Sequence, residues 1–168
     1  DNTEKSAAAR ARLHIWEMAC LANDPEQQEN AQICCRQILQ AHPTEYAAIA
    51  WATARSYEVD LQASCIALEQ RHQEVSTDLQ AVLGLVLCYF ELKRYTEAVH
   101  ILEASRDLFE DSQTISIWTH WYVRALIAGD KQDNIDQIIE SLRNGPYYNE
   151  ADNSVLILLA RKTGDWLP

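Results

Sequence analysis

Residues 85–102 read LVLCYFELKRYTEAVHIL. Apolar residues recur at steps of three and four on either side of a short polar turn, as in two amphipathic helices joined head to tail. The positions of this stretch return along the chain with a fixed period. The small position Ala98 has counterparts at Ala31, Ser64 and Asn134, at spacings of 33, 34 and 36 residues. Four residues later the slot reads Cys35, Leu68, Leu102 and Ile138, and the slot that closes each pair reads Pro43, Ser76, Glu110 and Pro146. In the preceding helix a large apolar slot reads Met18, Trp51, Leu85, Trp121 and Leu156, while Gly129-Asp130 and Gly164-Asp165 mark one type of turn 35 residues apart. Unrelated helices have no reason to keep one period, so the chain is built from repeats.

Within the third repeat, Val82, Leu85, Val86 and Tyr89 fall at the spacing W-x-x-L-G-x-x-Y, and Tyr95, Ala98 and Leu102 at Y-x-x-A-x-x-x-F. On these residues the chain resembles the tetratricopeptide repeat family. The resemblance implies an all-α fold, a right-handed α-solenoid of antiparallel helix hairpins with about four and a half repeats. It would form a single domain over residues 1–168, with units at 6–44, 45–78, 79–112, 115–148 and an incomplete one at 150–168. A lone hairpin cannot bury its apolar face, so neighbouring units stack. Helices are expected near 6–22, 27–41, 45–57, 61–73, 78–91, 95–109, 114–128, 131–143 and 151–163. Asn23-Asp24-Pro25, His42-Pro43-Thr44 and Asn144-Gly145-Pro146 punctuate them, and Asp24 is placed to cap. The chain departs from the family at the glycine slot, which reads Ala19, Ala52, Val86, Tyr122 and Ile157. Tyr122 there predicts a wider crossing in the fourth unit. The last unit lacks its second helix, which points to a longer natural chain. The strongly apolar final helix offers a contact for a homodimer.

The formal net charge of -11 and sequence pI near 4.8 argue against nucleic acid and anionic membrane surfaces as partners. No apolar run approaches the roughly 20 residues of a spanning helix. Cys20, Cys34, Cys35, Cys65 and Cys88 form no C-x-x-C pair and fall mostly in apolar helical runs. They read as small buried hydrophobes of a reducing compartment, hence a cytoplasmic protein.

The resemblance also implies where a ligand lies, because in that family the first helices of successive units line a concave groove. Carried over, the lining is Tyr46, Ile49 and Thr53 in the second unit and Gln80, Leu83, Leu87 and Phe90 in the third. The fourth unit adds Ser116, Thr119, Val123 and Leu126, with His120 and Arg124 close by. Members that grip acidic chaperone tails do so with basic and amide side chains, whereas those places read Ile49, Thr53, Gly84, Ser116 and His120 here. The expected role is a protein-interaction scaffold taking an apolar or mixed peptide segment. Two other roles stay open. One is the N-terminal repeat domain of a larger enzyme such as a bacterial glycosyltransferase, and the other a dedicated chaperone of secreted proteins. A further segment of the natural protein is an alternative occupant of the groove.

No enzyme signature accompanies the repeats. G-x-x-x-x-G-K-[ST], G-x-G-x-x-G and G-x-S-x-G are all missing. His14, His42, His72, His100 and His120 include no pair at the i, i+4 spacing of a helical zinc site. Carboxylates such as Glu26, Glu29, Glu110 and Asp111 look like loop charges. Trp16, Trp51, Trp118 and Trp121 read as core, and Trp166 as exposed. No catalytic residue, metal or cofactor is expected. His120 and Arg124 share a helix face on which an anion could be held.

Overall fold

The computed structural model describes residues 28–129 together with Glu17. Every regular element among the described residues is helical, and none is a strand. The order is α1 (Gln28–Ala41), α2 (Tyr46–Arg55), α3 (Leu61–Glu74), α4 (Leu79–Glu91), α5 (Tyr95–Ala104), a 3-10 turn at Arg106–Leu108, and α6 (Ser112–Ala128). The helices expected near 27–41, 45–57, 61–73, 78–91 and 114–128 are present within about two residues at each end, the usual fraying of such limits. The helix expected over 95–109 is shorter. It ends at Ala104, and Arg106–Leu108 continues as a tighter 3-10 turn. The helices expected near 6–22, 131–143 and 151–163 lie outside the described residues. So do Met18, Asn134, Ile138, Pro146, Leu156, Trp16 and Trp166, and the Asp24 cap.

Helix starts follow the sequence period. α2, α4 and α6 begin at 46, 79 and 112, and α3 and α5 at 61 and 95. The residue before each of the first three is an acid, Glu45, Asp78 or Asp111, at a spacing of 33. A helix leaves its first backbone N–H groups without partners, and a short side-chain oxygen can accept from them. Asp78 accepts from the N–H of Gln80 (3.0 Å) and Ala81 (3.2 Å). Asp111 accepts from that of Thr114 (2.8 Å). Glu45 makes no such bond; its side chain is one methylene longer and leaves the helix start uncapped. Asp60 caps α3 through the N–H of Ala63 (3.1 Å).

Burial repeats with the same period. Ala31, Ser64 and Ala98 are all 0% exposed, as are Cys35, Leu68 and Leu102 one helical turn later. The closing slot is non-helical at Pro43, Ser76 and Glu110.

The chain divides into two compact units, residues 1–92 and 93–168. In the first, α1 packs on α2, and α4 packs on both α2 and α3. Arg71 meets Asp78 beside the turn and Leu68 meets Gly84 farther along, so α3 and α4 run antiparallel. Contact with two helices accounts for the composition of α4, which buries Ala81, Val82 and the whole run from Gly84 to Tyr89. At Gly84 the side chains of both partner helices come close to the α4 backbone. A Cβ on it would stand 3.0 Å from Leu68 Cδ1 and 3.7 Å from Ile49 Cδ1. The glycine that permits close approach is therefore two residues before Val86, the position where the repeat pattern sets one. Cys35 Sγ donates to the Ala48 carbonyl (3.3 Å), and the Arg36 guanidinium donates to the Glu58 carbonyl from two nitrogens (3.3 and 3.1 Å).

In the second unit α5 packs on α6. Trp118 Nε1 donates to the Leu102 carbonyl (2.8 Å), and Gly129 lies against Tyr95, so these two helices are also antiparallel. Tyr122 donates to Glu103 (2.8 Å) and stacks on Trp118, with ring centroids 4.6 Å apart. Burial, and then acceptance of that bond by Glu103, pushes the Tyr122 phenol up to about 12. The wider crossing expected at Tyr122 involves a helix outside the described residues. Trp51, Trp118 and Trp121, expected in the core, are half-buried instead. Their rings are too large to be enclosed fully by a thin layer of helices. Arg55, Arg106 and Arg124 lie over them at 4.9, 5.0 and 4.8 Å from the ring centroids. No described helix is long and apolar enough to cross a membrane.

Candidate functional site

A groove of about 830 Å³ opens in the first unit where the start of α2, the end of α3 and the start of α4 converge. Its wall is formed by His42, Thr44, Glu45, Tyr46 and Ala47 on one side. Ala67, Gln70, Arg71 and Glu74 of α3, Val75 and Asp78 of the turn, and Gln80 and Ala81 of α4 complete it. The antiparallel α3–α4 pairing places the last turn of one helix beside the first turn of the next, which gathers these residues at one end of the unit.

The groove is mixed in character. Tyr46, Ala47, Ala67 and Val75 supply apolar surface, Ala81 is buried behind it, and the rest supply hydrogen-bonding or charged groups. The lining includes three acids, Glu45, Glu74 and Asp78, and one arginine, Arg71. Arg71 is committed to Asp78, 2.6 Å away, and the Asp78 side chain is 16% exposed. Burial alone would raise the Asp78 carboxyl. The N–H groups of Ala81 and Gln80 and the Arg71 hydrogen bond and charge outweigh it and hold the group below its ordinary 3.8. Glu45 and Glu74 have no hydrogen-bond or ion-pair partner for their carboxylates among the described residues. Glu45 is nonetheless half-buried. Burial raises the Tyr46 phenol above 10.0 and keeps it a neutral donor.

The structure disperses the residues expected to line a groove. Tyr46 and Gln80 do line this one. Thr53, Leu83 and Phe90 are half-buried on the same two helices, and the Thr53 hydroxyl donates back to the Ala50 carbonyl (3.0 Å). Ile49 is 0% exposed and Leu87 8%, so both are core, and their assignment to an open lining is corrected. The reason is that α4, packed on two helices, has little surface left. In the second unit Ser116 and His120 are half-buried and Arg124 is exposed. Thr119, Val123 and Leu126 are buried, at 7%, 0% and 0% exposure, and are corrected likewise. Together with Ile115 they make the inward stripe of α6, so they cannot face a ligand in this arrangement.

His120 and Arg124 do share a face. Arg124 Nη1 lies 3.4 Å from His120 Nε2, and the imidazole meets Trp121 edge-on at 5.5 Å. Burial first, and the Arg124 charge second, hold His120 below its ordinary 6.5, so near neutral pH the ring is uncharged. The pair therefore offers an anion one full charge rather than two.

Comparison with known proteins returns no match. No family model, no curated protein and no solved structure matches the chain. Chemistry has to be sought in the residues themselves. Burial pushes the Cys35 thiol up to about 11, with Cys34 adding to it, and that of Cys88 up to about 12, so neither is a thiolate at neutral pH. Among the described residues no three His, Cys, Asp or Glu side chains gather as a metal site.

The sequence pattern missed most of the groove wall. Helix-face stripes report on the middles of helices, whereas this wall is made of helix ends and turns. The signal that could have found it is the acid recurring every 33 residues before α2, α4 and α6, with Glu in place of Asp at position 45.

Proposed function

We propose that the chain is a protein-interaction scaffold of the tetratricopeptide type, with no catalytic role, which holds an apolar or mixed peptide segment. The observation that carries this is the open groove of about 830 Å³ in the first unit, walled by apolar and hydrogen-bonding residues of three helices and the turns beside them. A peptide can place an apolar side chain over Tyr46 and Ala47 and still satisfy its backbone on Thr44, Gln70 or Gln80. Support for the repeat type comes from the shared burial of Ala31, Ser64 and Ala98 and from helix starts spaced by 33 or 34 residues.

The test is selection of a random peptide library on the immobilised protein, followed by titration of the recovered consensus. A recurrent sequence family with micromolar affinity is expected. Ala47→Trp, which fills the groove from α2, should abolish its binding while leaving the far-ultraviolet circular dichroism unchanged. Failure to enrich any family would overturn the interaction function. Binding undiminished by Ala47→Trp would remove the groove as its site.

A further inference from the structure

We infer that the groove of the first unit selects a segment carrying a cationic side chain, Arg or Lys, next to an apolar one. This specificity rests on the protein-interaction function proposed for the same groove and adds the chemistry of the partner. Its titratable wall comprises His42, Glu45, Tyr46, Arg71, Glu74 and Asp78. Arg71 and Asp78 neutralise one another at 2.6 Å. What is left is the pair of carboxylates on Glu45 and Glu74, from two different elements and with no partner for either among the described residues.

Glu45 makes the case more than exposure alone would. It stands in the repeat position where Asp78 and Asp111 turn their carboxylates back onto their own helices. Glu45 forms no cap bond, so its carboxylate is left for something else. A carboxylate without a partner can form a charge-assisted hydrogen bond with a guanidinium or ammonium that enters the groove. Tyr46 and Ala47 beside it offer an apolar neighbour a place to dock. The chain's net charge of -11 favours approach of a basic segment over longer range.

The same random library, selected in parallel on wild type and on the Glu45→Gln/Glu74→Gln variant, tests this. On wild type the recovered peptides should be enriched in Arg or Lys adjacent to Leu, Ile, Phe or Tyr. On the variant the basic enrichment should vanish while the apolar preference stays, and the wild-type consensus peptide should bind about fivefold more weakly. Glu45→Asp is a second variant that keeps the charge but can fold it back as a cap, and it too should weaken binding of the wild-type consensus peptide. Apolar enrichment without any basic excess would overturn the inference and leave the interaction function standing. Basic enrichment unaffected by the substitutions would overturn it too, by placing the cation elsewhere. No enrichment of any kind would instead strike the interaction function itself.

Discussion

Ser64 sets the repeat and the hydrogen-bonding rule against each other. It occupies the small slot shared with Ala31 and Ala98 and is 0% exposed like them, yet its hydroxyl has no hydrogen-bond partner among the described residues. A buried hydroxyl without a hydrogen bond loses its hydration and gains nothing in return. Ser64→Ala should therefore raise stability by about 1 kcal/mol, with a small added gain in helix propensity. The expected observation is a higher urea midpoint at unchanged slope. A lower midpoint would mean that the hydroxyl is satisfied, by a buried water for example. The sequence showed this slot to be small but could not show whether its polar atom was paired, since pairing depends on neighbours brought in from other helices. The same limit explains Leu87, Val123 and Leu126. Their apolar character was plain, but whether a given stripe faces a partner helix or an open groove is settled only by packing.

Helices were the most readable level, because their limits are written in local chemistry. Asp60 and Asp78 begin helices where a short acid can cap, and α2 ends at Ser56 in a left-handed conformation, with φ of 54°. The 3-10 turn after Ala104 escaped notice because its residues keep the helical apolar spacing up to Phe109, itself 1% exposed. The close approach at Gly84 escaped it too, since the pattern puts a small residue at Val86. Asp78 is the element that can be tested most directly, for it caps α4 and binds Arg71 at once. Asp78→Ala should cost about 1–2 kcal/mol, and Asp78→Asn, which keeps an acceptor for the helix start, clearly less. The folded carboxyl lies below its ordinary 3.8, so its contribution is full above that pH and fades as the pH falls through 3.8 toward the folded value. Urea midpoints of wild type and Asp78→Asn should accordingly converge below about pH 4. A gap that stays constant through that range would show that the carboxylate's charge contributes nothing.

At the scale of the molecule the claim is equivalence, that positions one period apart do the same physical work. Leu68 and Leu102 are its sharpest instance, for both are fully buried and both follow a buried small residue by four positions, one in each compact unit. Truncating a buried leucine removes its transfer free energy and leaves a cavity, together about 2–5 kcal/mol. If the period is structural, Leu68→Ala and Leu102→Ala should both fall in that range and within about 1 kcal/mol of each other, as read from urea unfolding. Ile66, 48% exposed and only two residues from Leu68 on the same helix, supplies the contrast, and Ile66→Ala should change stability by no more than about 0.5 kcal/mol. Comparable costs for the two leucines against a negligible one for Ile66 would mean that the 33- to 34-residue spacing organises the core. A large cost at one leucine and none at the other would mean that the spacing is a feature of the sequence which packing does not use, and the repeat type proposed from it would lose its structural basis.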